Sequence, residues 1–264
     1  MMSQTERGNR FRELHAGDPF LIPNPWDAGT ARVMAALGFK ALATTSAGFA
    51  FTLGRRDGGV SLDEVLKHTA QLAEATELPL SVDLENGYGA APAAAAAAIE
   101  GAAAAGAVGG SIEDWDPEDR AIYPLEQAAE RVRAAAEAVS GLGFPFILTA
   151  RAENHLRGNP DLDDTISRLR AYEDAGADVL YAPALADAEQ VRAVCEAVSR
   201  PVNVLAHPGL GMQDLADAGA QRVSVGSGLT WVAVAAMAKA AQELQGGRFA
   251  SLSTRAPIRD WLEA

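Results

Sequence analysis

The sequence predicts an α/β protein folded as a (β/α)8 TIM barrel. Eight short apolar runs alternate with longer, alanine-rich stretches of helical character along 264 residues, and no shift in composition divides them. A glycine precedes several of the runs, where it ends a helix and lets a buried strand begin. We therefore expect one barrel domain over residues 1–264, with a helical extension at its C-terminal end.

The elements follow in order from these signals. The predicted strands are Phe20–Pro23, Ala41–Thr44, Leu80–Val82, Val108–Ile112, Phe146–Thr149, Val179–Tyr181, Val202–Leu205 and Arg222–Val225, and the helix-ending glycines are Gly38, Gly106, Gly176 and Gly219. Residues 90–105 are nearly all alanine, the best helix former, and Pro92 suits a first helical turn. The alternative is an open doubly wound sheet, but no glycine-rich dinucleotide fingerprint follows the first strand.

Composition narrows the possible partners and the location. The formal net charge of −13 argues against nucleic acid and anionic membranes as partners, while a small anionic substrate stays open because local fields differ from the global charge. No apolar run approaches the roughly 20 residues that span a membrane, and residues 1–12 lack the apolar core of a signal peptide, so a cytoplasmic location is expected. Cys195, the single cysteine, lies in a predicted helix and is expected to be a small buried side chain.

Two carboxylates end the third predicted strand and form the most informative feature. Asp83 and Glu85 are two residues apart, so on a strand they project to the same side. Like charges this close repel, and a hard divalent cation such as Mg²⁺ or Mn²⁺ relieves that repulsion. Glu113 ends the next strand and Asp57 lies in a nearby loop, which makes these four residues the candidate metal ligands. The alternatives are a turn aspartate at 57 and a solvated mouth paired to arginines.

Other polar residues follow the remaining strands, where barrels carry their functional groups. Arg151 is suited to clamp a carboxylate bidentately, although an ion pair with Glu153 or Glu113 is the alternative. The further candidates are Thr45, Ser46 and Ala47 as a cradle for an anionic oxygen, Asn203 as a substrate contact, and Tyr181, His207 and His155 as acid–base groups. For each of the two histidines, the alternative is a structural role.

These residues resemble those of the isocitrate lyase/phosphoenolpyruvate mutase superfamily. The similar segments run from about Phe11 to Leu244 and include residues 24–28, 44–48, 53–58, 82–89, 111–114 and 149–153. The resemblance implies a Mg²⁺-dependent barrel that acts on small 2-oxo or dicarboxylic acids through a pyruvyl enolate. By that similarity Asp83 would contact the metal directly, and Asp57, Glu85 and Glu113 would hold its water molecules. Arg151 and residues 45–47 would bind the pyruvyl carboxylate and oxygen.

The resemblance also implies a homo-oligomer, a dimer or tetramer, in which the last helix is exchanged between subunits. The segment Leu229–Leu244 fits that role, because it is apolar over much of its circumference and therefore needs to be covered.

One loop departs from the pattern of the superfamily. Its lyases carry a lysine-lysine-cysteine-glycine-histidine motif after the fourth strand, whereas residues 114–124 here contain no cysteine, lysine or histidine. This difference argues against cleavage of isocitrate or methylisocitrate. The asparagine-bearing loop of the phosphonate-handling mutases is not evident either.

The sequence therefore favours a Mg²⁺-dependent C–C lyase or decarboxylase for an oxaloacetate-like 2-oxo acid, reprotonated by water, Tyr181 or His207. One alternative is a P–C mutase or hydrolase, for which only Arg120 offers a cationic loop group. The other, from a different class, is a catalytically silent barrel that serves as a binding protein.

Overall fold

The computed structural model describes residues 2–253 and 256–263, which form the predicted barrel. Its strands are β1 (Phe20–Ile22), β2 (Leu42–Ala43), β3 (Leu80–Asp83), β4 (Gly109–Glu113), β5 (Trp115–Asp116), β6 (Ala121–Ile122), β7 (Ile147–Arg151), β8 (Val179–Tyr181), β9 (Val202–Leu205) and β10 (Arg222–Ser224). Its helices are α1 (Gln4–Ala16), α2 (Ala28–Ala36), α3 (Ser46–Thr52), α4 (Leu62–Ala75), α5 (Pro92–Ala104), α6 (Leu125–Ser140), α7 (Leu162–Asp174), α8 (Ala188–Ala197), α9 (Met212–Asp217), α10 (Gly228–Gln245) and α11 (Ile258–Glu263), with a 3₁₀ turn at Ala250–Ser253.

Eight of the strands form one parallel sheet in the order β1-β10-β9-β8-β7-β4-β3-β2. Between the two outermost strands the Ala43 N–H donates to the Pro23 carbonyl at 3.1 Å, which draws the sheet towards closure. All eight predicted strands are confirmed, with ends within two residues of the prediction. The order and the parallel pairing exclude the open doubly wound alternative.

The local signals act as predicted. The four helix-ending glycines have φ between +87° and +105°, a conformation that side chains other than glycine rarely adopt. Pro92 is the first residue of α5, whose small side chains Ala95, Ala98 and Ala102 are buried in the core. Cys195 is half-buried in α8 and packs against that core, and burial raises the pKa of its thiol to about 11. It is therefore a structural residue and not a nucleophile.

The amino-terminal end of the barrel is closed by α1. Phe11 from this helix packs with Phe20, Val108, Ile147 and Val179, which lie at or next to the starts of four strands, in a separate apolar cluster. The cluster leaves the carboxyl ends of the strands as the open end, here called the mouth.

The sequence did not predict the short strands that follow β4. β5 and β6 pair antiparallel as a small hairpin after β4, with Trp115 opposite Ile122. At the other end of the chain, α10 carries apolar side chains that face solvent, including Val232 and Met237. None of the helices within the described ranges combines the length and the apolar character needed to cross a bilayer.

Candidate active site at the barrel mouth

The carboxyl ends of the strands surround a cavity of about 410 Å³. Eight of the predicted site residues line it: Thr45, Ser46, Ala47, Asp57, Asp83, Arg151, Tyr181 and Asn203. An adjoining cavity of about 220 Å³ shares Ser46, Asp57 and Arg151 and adds Glu85 and Glu113. The structure therefore brings together the predicted substrate and metal residues with Arg151 and Tyr181, whereas the histidine candidates His155 and His207 line neither cavity.

Arg151 is the centre of the mouth. Its Nη1 lies 3.0 Å from Asp83 Oδ1, and its Nη2 lies 3.1 Å from Glu113 Oε2 and 2.8 Å from Glu153 Oε1. Burial disfavours the charge of the guanidinium, but the three carboxylates outweigh burial and raise the pKa of Arg151 well above its ordinary value. The Arg151 guanidinium is thus held beside the cavity by its three carboxylate partners.

Asp83 ties the predicted oxygen cradle to this cluster. Its Oδ2 accepts the backbone N–H of Ser46 at 3.4 Å, and its Oδ1 accepts the N–H of Glu85 at 3.2 Å. The N–H of Asp83 in turn donates to Thr44 Oγ1 at 2.8 Å. The Thr45 hydroxyl oxygen accepts the N–H of Gly48 as the cap of α3. This bond leaves the hydroxyl proton to be donated elsewhere, whereas the Ser46 N–H is already donated to Asp83.

Glu85 reaches the cluster by a route other than the predicted one. β3 ends at Asp83, and Glu85 adopts the left-handed conformation with φ +48°, so the shared strand face does not orient it. Burial first, then Asp83 and Asp57, raise the pKa of Glu85 to about 7. Arg131 holds this turn by donating to the backbone carbonyls of Asn86, Gly89 and Ala90.

The two remaining carboxylates show the same excess of negative charge. Glu113 is buried at the end of β4, where burial and then Glu153 raise its pKa well above the ordinary value. Asp57 lies at the exposed rim, but its carboxylate is partly shielded from water and faces Asp83, and both effects raise its pKa. It accepts a hydrogen bond from the Ser46 side chain.

This donor set fits a hard divalent cation. Carboxylate oxygens are the ligands that Mg²⁺ and Mn²⁺ prefer. The raised pKa values of Asp57, Glu85 and Glu113 reflect burial first and repulsion between carboxylates second, and a bound cation offsets both effects. Within the described ranges, however, no three Asp, Glu, His or Cys side chains converge as a ready-made direct coordination shell. Because Arg151 stands between Asp83 and Glu113, the set fits an ion held in part through water.

The predicted acid–base groups separate into two kinds. Tyr181 lies at the cavity with its ring centroid 5.3 Å from the Arg151 guanidinium, and burial raises the pKa of its hydroxyl to about 12, so it is protonated near pH 7. His207 is exposed, accepts the N–H of Gly209 through Nδ1 at 3.1 Å and lines neither cavity. His207 therefore lies outside both cavities in this structure, and its acid–base role stays a prediction. His155 is half-buried, and burial lowers its pKa.

Sequence reasoning did not single out Arg157 and Trp115. The Arg157 guanidinium lies 4.3 Å above the Trp115 ring and reaches Glu113 at 3.4 Å and Glu153 at 3.5 Å. Trp115 belongs to the unexpected hairpin, so the loop after β4 forms a wall of the smaller cavity. Nothing local in the sequence predicts a contact between segments this far apart.

Two further residues have roles that the sequence did not reveal. Asp114 is a structural acid, since it accepts the N–H of Glu153 at 2.8 Å, the Tyr172 hydroxyl at 2.5 Å and Arg168 Nη1 at 3.1 Å. Arg222 begins β10, is buried and lines the larger cavity. A charged residue inside an otherwise apolar strand was the available signal for it.

Comparison with known proteins gives a consistent result. A family model described as phosphoenolpyruvate phosphomutase matches residues 11–245. A solved structure from Burkholderia cenocepacia J2315, of a protein to which a lyase or mutase activity is provisionally attributed, is 50% identical with a TM-score of 0.95 and covers 99% of this chain and 97% of that chain. The 2-methylisocitrate lyase of Halalkalibacterium halodurans is 32% identical over 205 residues, which cover 76% of this chain and 67% of the relative.

An oxaloacetate acetylhydrolase solved with its product oxalate is also similar, at 25% identity and a TM-score of 0.85, covering 97% of this chain and 93% of that chain. Together with the eight-stranded barrel and the acidic mouth around Arg151, these matches show that the chain belongs to the phosphoenolpyruvate mutase/isocitrate lyase superfamily.

Proposed function

We propose that this chain is a divalent-metal-dependent enzyme that breaks the C–C bond beside the pyruvyl unit of a small, oxaloacetate-like acid. The observation that carries the proposal is the position of Arg151 between Asp83 and Glu113 at the mouth. Arg151, which can bind a carboxylate, and a cluster of hard oxygen donors therefore lie together at the mouth. The names of two similar proteins, a 2-methylisocitrate lyase and an oxaloacetate acetylhydrolase, support this substrate class.

The proposed cation is Mg²⁺, with Mn²⁺ as the alternative. Asp83 would hold it directly, and Asp57, Glu85 and Glu113 would hold it through water. When bound, the ion supplies a Lewis acid for the negative charge that develops on the 2-oxo oxygen.

The residues of the chain bind and orient the substrate. Arg151 exchanges its ion pairs with Asp83 and Glu113 for the carboxylate beside the 2-oxo group, which its planar guanidinium binds through two parallel hydrogen bonds. Ser46 and Ala47 line the same cavity. Their backbone N–H groups would complement the anionic oxygen, that of Ser46 after it leaves Asp83. In decarboxylation the electron pair of the broken bond forms the pyruvate enolate, and CO₂ leaves. The Tyr181 hydroxyl or water then returns a proton to the carbon.

The alternatives have less support. P–C chemistry needs cations for a phosphonyl group, and Arg120 lies exposed in the turn between β5 and β6 and lines neither cavity. A silent binding barrel does not explain four carboxylates held at a cost around one mouth. The missing cysteine motif after Glu113 argues against methylisocitrate cleavage, in spite of the similarity to that lyase.

The test is turnover of oxaloacetate with and without Mg²⁺, read as pyruvate and, in parallel, as oxalate. We expect pyruvate release that chelation with EDTA abolishes and that Asp83→Asn lowers at least ~10³-fold, because the variant loses a charged ligand. Asp63→Asn, an exposed aspartate of α4, is the matched control and keeps full activity. Blanks without enzyme correct for spontaneous decarboxylation.

The same experiment distinguishes the alternatives. Phosphate release from phosphonopyruvate without oxaloacetate turnover would replace the proposal by P–C hydrolysis. No turnover of either acid, together with no calorimetric binding of Mg²⁺ and oxalate, would favour the silent barrel.

We also propose that the protein is a homo-oligomer in which a second copy covers α10. Val232 and Met237 on this helix are 65% and 61% exposed, and Lys239 and Glu243 are its only charged residues. An apolar helix that the rest of its own chain leaves uncovered favours association, and the symmetric answer is another α10. We expect Met237→Glu to reduce the mass measured by light scattering, whereas the control Lys239→Glu does not. A monomeric wild type at micromolar concentration would contradict the proposal.

A further inference from the structure

Arg222 lies on the floor of the larger cavity, at the opposite end from Arg151. It is the first residue of β10, its side chain is inside the barrel, and the residue is only 5% exposed. Its Nε donates to Asn203 Oδ1 at 2.8 Å, its Nη2 to Thr149 Oγ1 at 3.0 Å and its Nη1 to His15 Nε2 at 3.2 Å. These bonds use three of its five N–H groups and leave two.

All of these partners are neutral. Thr149 and Asn203 carry no charge, and the Nδ1 of His15 is 2.7 Å from the Phe11 carbonyl, so Nδ1 holds the proton and Nε2 accepts from Arg222. Burial, with Arg222 second, lowers the pKa of His15 to about 3, which keeps the ring neutral at pH 7. Within the described parts of the chain, no carboxylate forms an ion pair with Arg222.

A buried cation without a counter-charge is unfavourable. Burial lowers the pKa of Arg222 to about 10, so the guanidinium is still charged near neutral pH. Removal of such a charge from water costs several kcal/mol unless an anion compensates it. Since the described residues supply no anion, and Arg222 borders a cavity, a bound ligand is the natural source.

The register of the sheet connects the floor with the mouth. Arg222 pairs with Asn203 in β9, Asn203 with Tyr181 in β8, and Tyr181 with Arg151 in β7. Paired residues of neighbouring strands point to the same face, so these four side chains form one row inside the barrel. Three strand spacings of about 4.8 Å amount to roughly 14 Å along the curved sheet. The straight distance between the two Cα atoms is shorter than this, and the two long arginine side chains shorten the gap further.

We propose that this floor is an anion subsite and that it binds the distal carboxylate of a dicarboxylic 2-oxo acid whose first carboxylate is bound by Arg151. The inference rests on the proposed function and specifies its substrate class as the dicarboxylic 2-oxo acids, of which oxaloacetate is a short member. A carboxylate presents two oxygens to the two unused N–H groups of Arg222. The volume of about 410 Å³ is too large for a small inorganic anion to fill alone, which favours one molecule that spans both arginines.

The test compares matched acids by calorimetry on the full chain with Mg²⁺. The pairs are 2-oxoglutarate against 2-oxovalerate and 2-oxoadipate against 2-oxohexanoate, which differ only in a distal carboxylate or methyl group. In at least one pair we expect the diacid to bind ten times more tightly or better. Arg222→Met reduces that preference to less than twofold but keeps oxalate affinity within twofold of the wild type, whereas Arg222→Lys keeps part of the preference. His15→Gln, which changes an uncharged neighbour, keeps it as well.

Three outcomes would overturn the subsite: equal affinity for diacid and monoacid in the wild type, a preference that survives Arg222→Met, or Arg222-dependent binding of sulfate without any diacid preference. The last result would indicate a site for inorganic anions. Because the wild-type comparison needs no variant, the test holds even if Arg222→Met does not fold. Oxalate binding reports on the mouth, so its failure with an intact diacid preference would reject the proposed function and leave the subsite standing.

Discussion

Two arginines of one cavity have opposite surroundings. Arg151 at the mouth lies within 3.1 Å of three carboxylates, and its pKa is raised, whereas Arg222 on the floor has only neutral partners, and its pKa is lowered to about 10. The mouth therefore has more negative charge than its own cations balance, and the floor has a positive charge that nothing described balances. The barrel is therefore polarised along its axis. Among the described residues, the mouth lacks a further cation and the floor lacks an anion.

This polarity separates the two ends by role. The amino-terminal face of a TIM barrel usually serves stability and the carboxyl-terminal face serves chemistry. Here the polar row from Arg151 through Tyr181 and Asn203 to Arg222 carries polar and charged side chains through the interior. The apolar stability layer begins only below it, at Phe11 of α1.

The largest expected effect is at the mouth, where Arg151→Lys should lower kcat/KM by ~10²–10³-fold. Lysine keeps the charge, but it cannot donate two parallel hydrogen bonds or satisfy three carboxylates at once. The measurement is steady-state turnover of the best acid found. Arg157→Lys is the matched control, and its longer contacts of 3.4 and 3.5 Å predict a loss below about tenfold. Equal losses in both variants would mean that Arg151 is no more than another member of the ion-pair network.

A smaller effect concerns Glu85, which tests the excess of negative charge. Its pKa is raised from 4.5 to about 7, so the folded protein binds the extra proton and this contribution to stability is complete below pH 4.5 and lost as pH rises through 7. Glu85→Gln mimics the protonated form at every pH. We expect the metal-free variant to be more stable than wild type by about 2 kcal/mol at pH 8 and no more stable at pH 4.5.

Urea unfolding in EDTA at the two pH values measures this difference. Saturating Mg²⁺ should reverse it at pH 8, because the wild type gains a ligand that the variant binds less well. A stabilisation independent of pH would contradict the charge argument for the mouth.

The smallest effect tests the neutral floor through His15. Its pKa is lowered from 6.5 to about 3, so the unfolded chain binds more protons between these values and stability falls as pH drops below 6.5. His15→Gln has no such proton to bind. Between pH 7 and pH 4 the variant should therefore lose about 1–2 kcal/mol less unfolding free energy than wild type, as measured by urea titration. Parallel pH curves for the two proteins would indicate a solvated, titrating His15 and a floor open to water.

The parts predicted from sequence are those that short-range signals determine. Apolar runs and left-handed glycines such as Gly176 fix where strands begin, and a parallel barrel then brings Asp83, Glu113 and Arg151 to one end. Glu85 reached the predicted place by an unpredicted left-handed turn. His207 lies outside both cavities, although Leu205 and Ala206 just before it line the larger one, because the path of a loop depends on contacts that no local pattern encodes.

The residues missed altogether depend on long-range packing. Arg157 meets Trp115 only because a hairpin folds beside β7, and Arg222 points into a cavity only because the sheet curls round on itself. The role proposed for Arg222 depends on the absence of a carboxylate beside it among the described residues. A sequence does not show which neighbours a side chain lacks.

The side chains that pack around Phe11 at the strand starts affect the order in which bound molecules leave the cavity. They close its floor end, so the cavity opens at the mouth. In the proposed binding mode, a molecule reaches Arg222 from the mouth, so a product fragment bound beside Arg151 blocks the exit of one bound at the floor. The fragment at the mouth would then be released first and the fragment at the floor second.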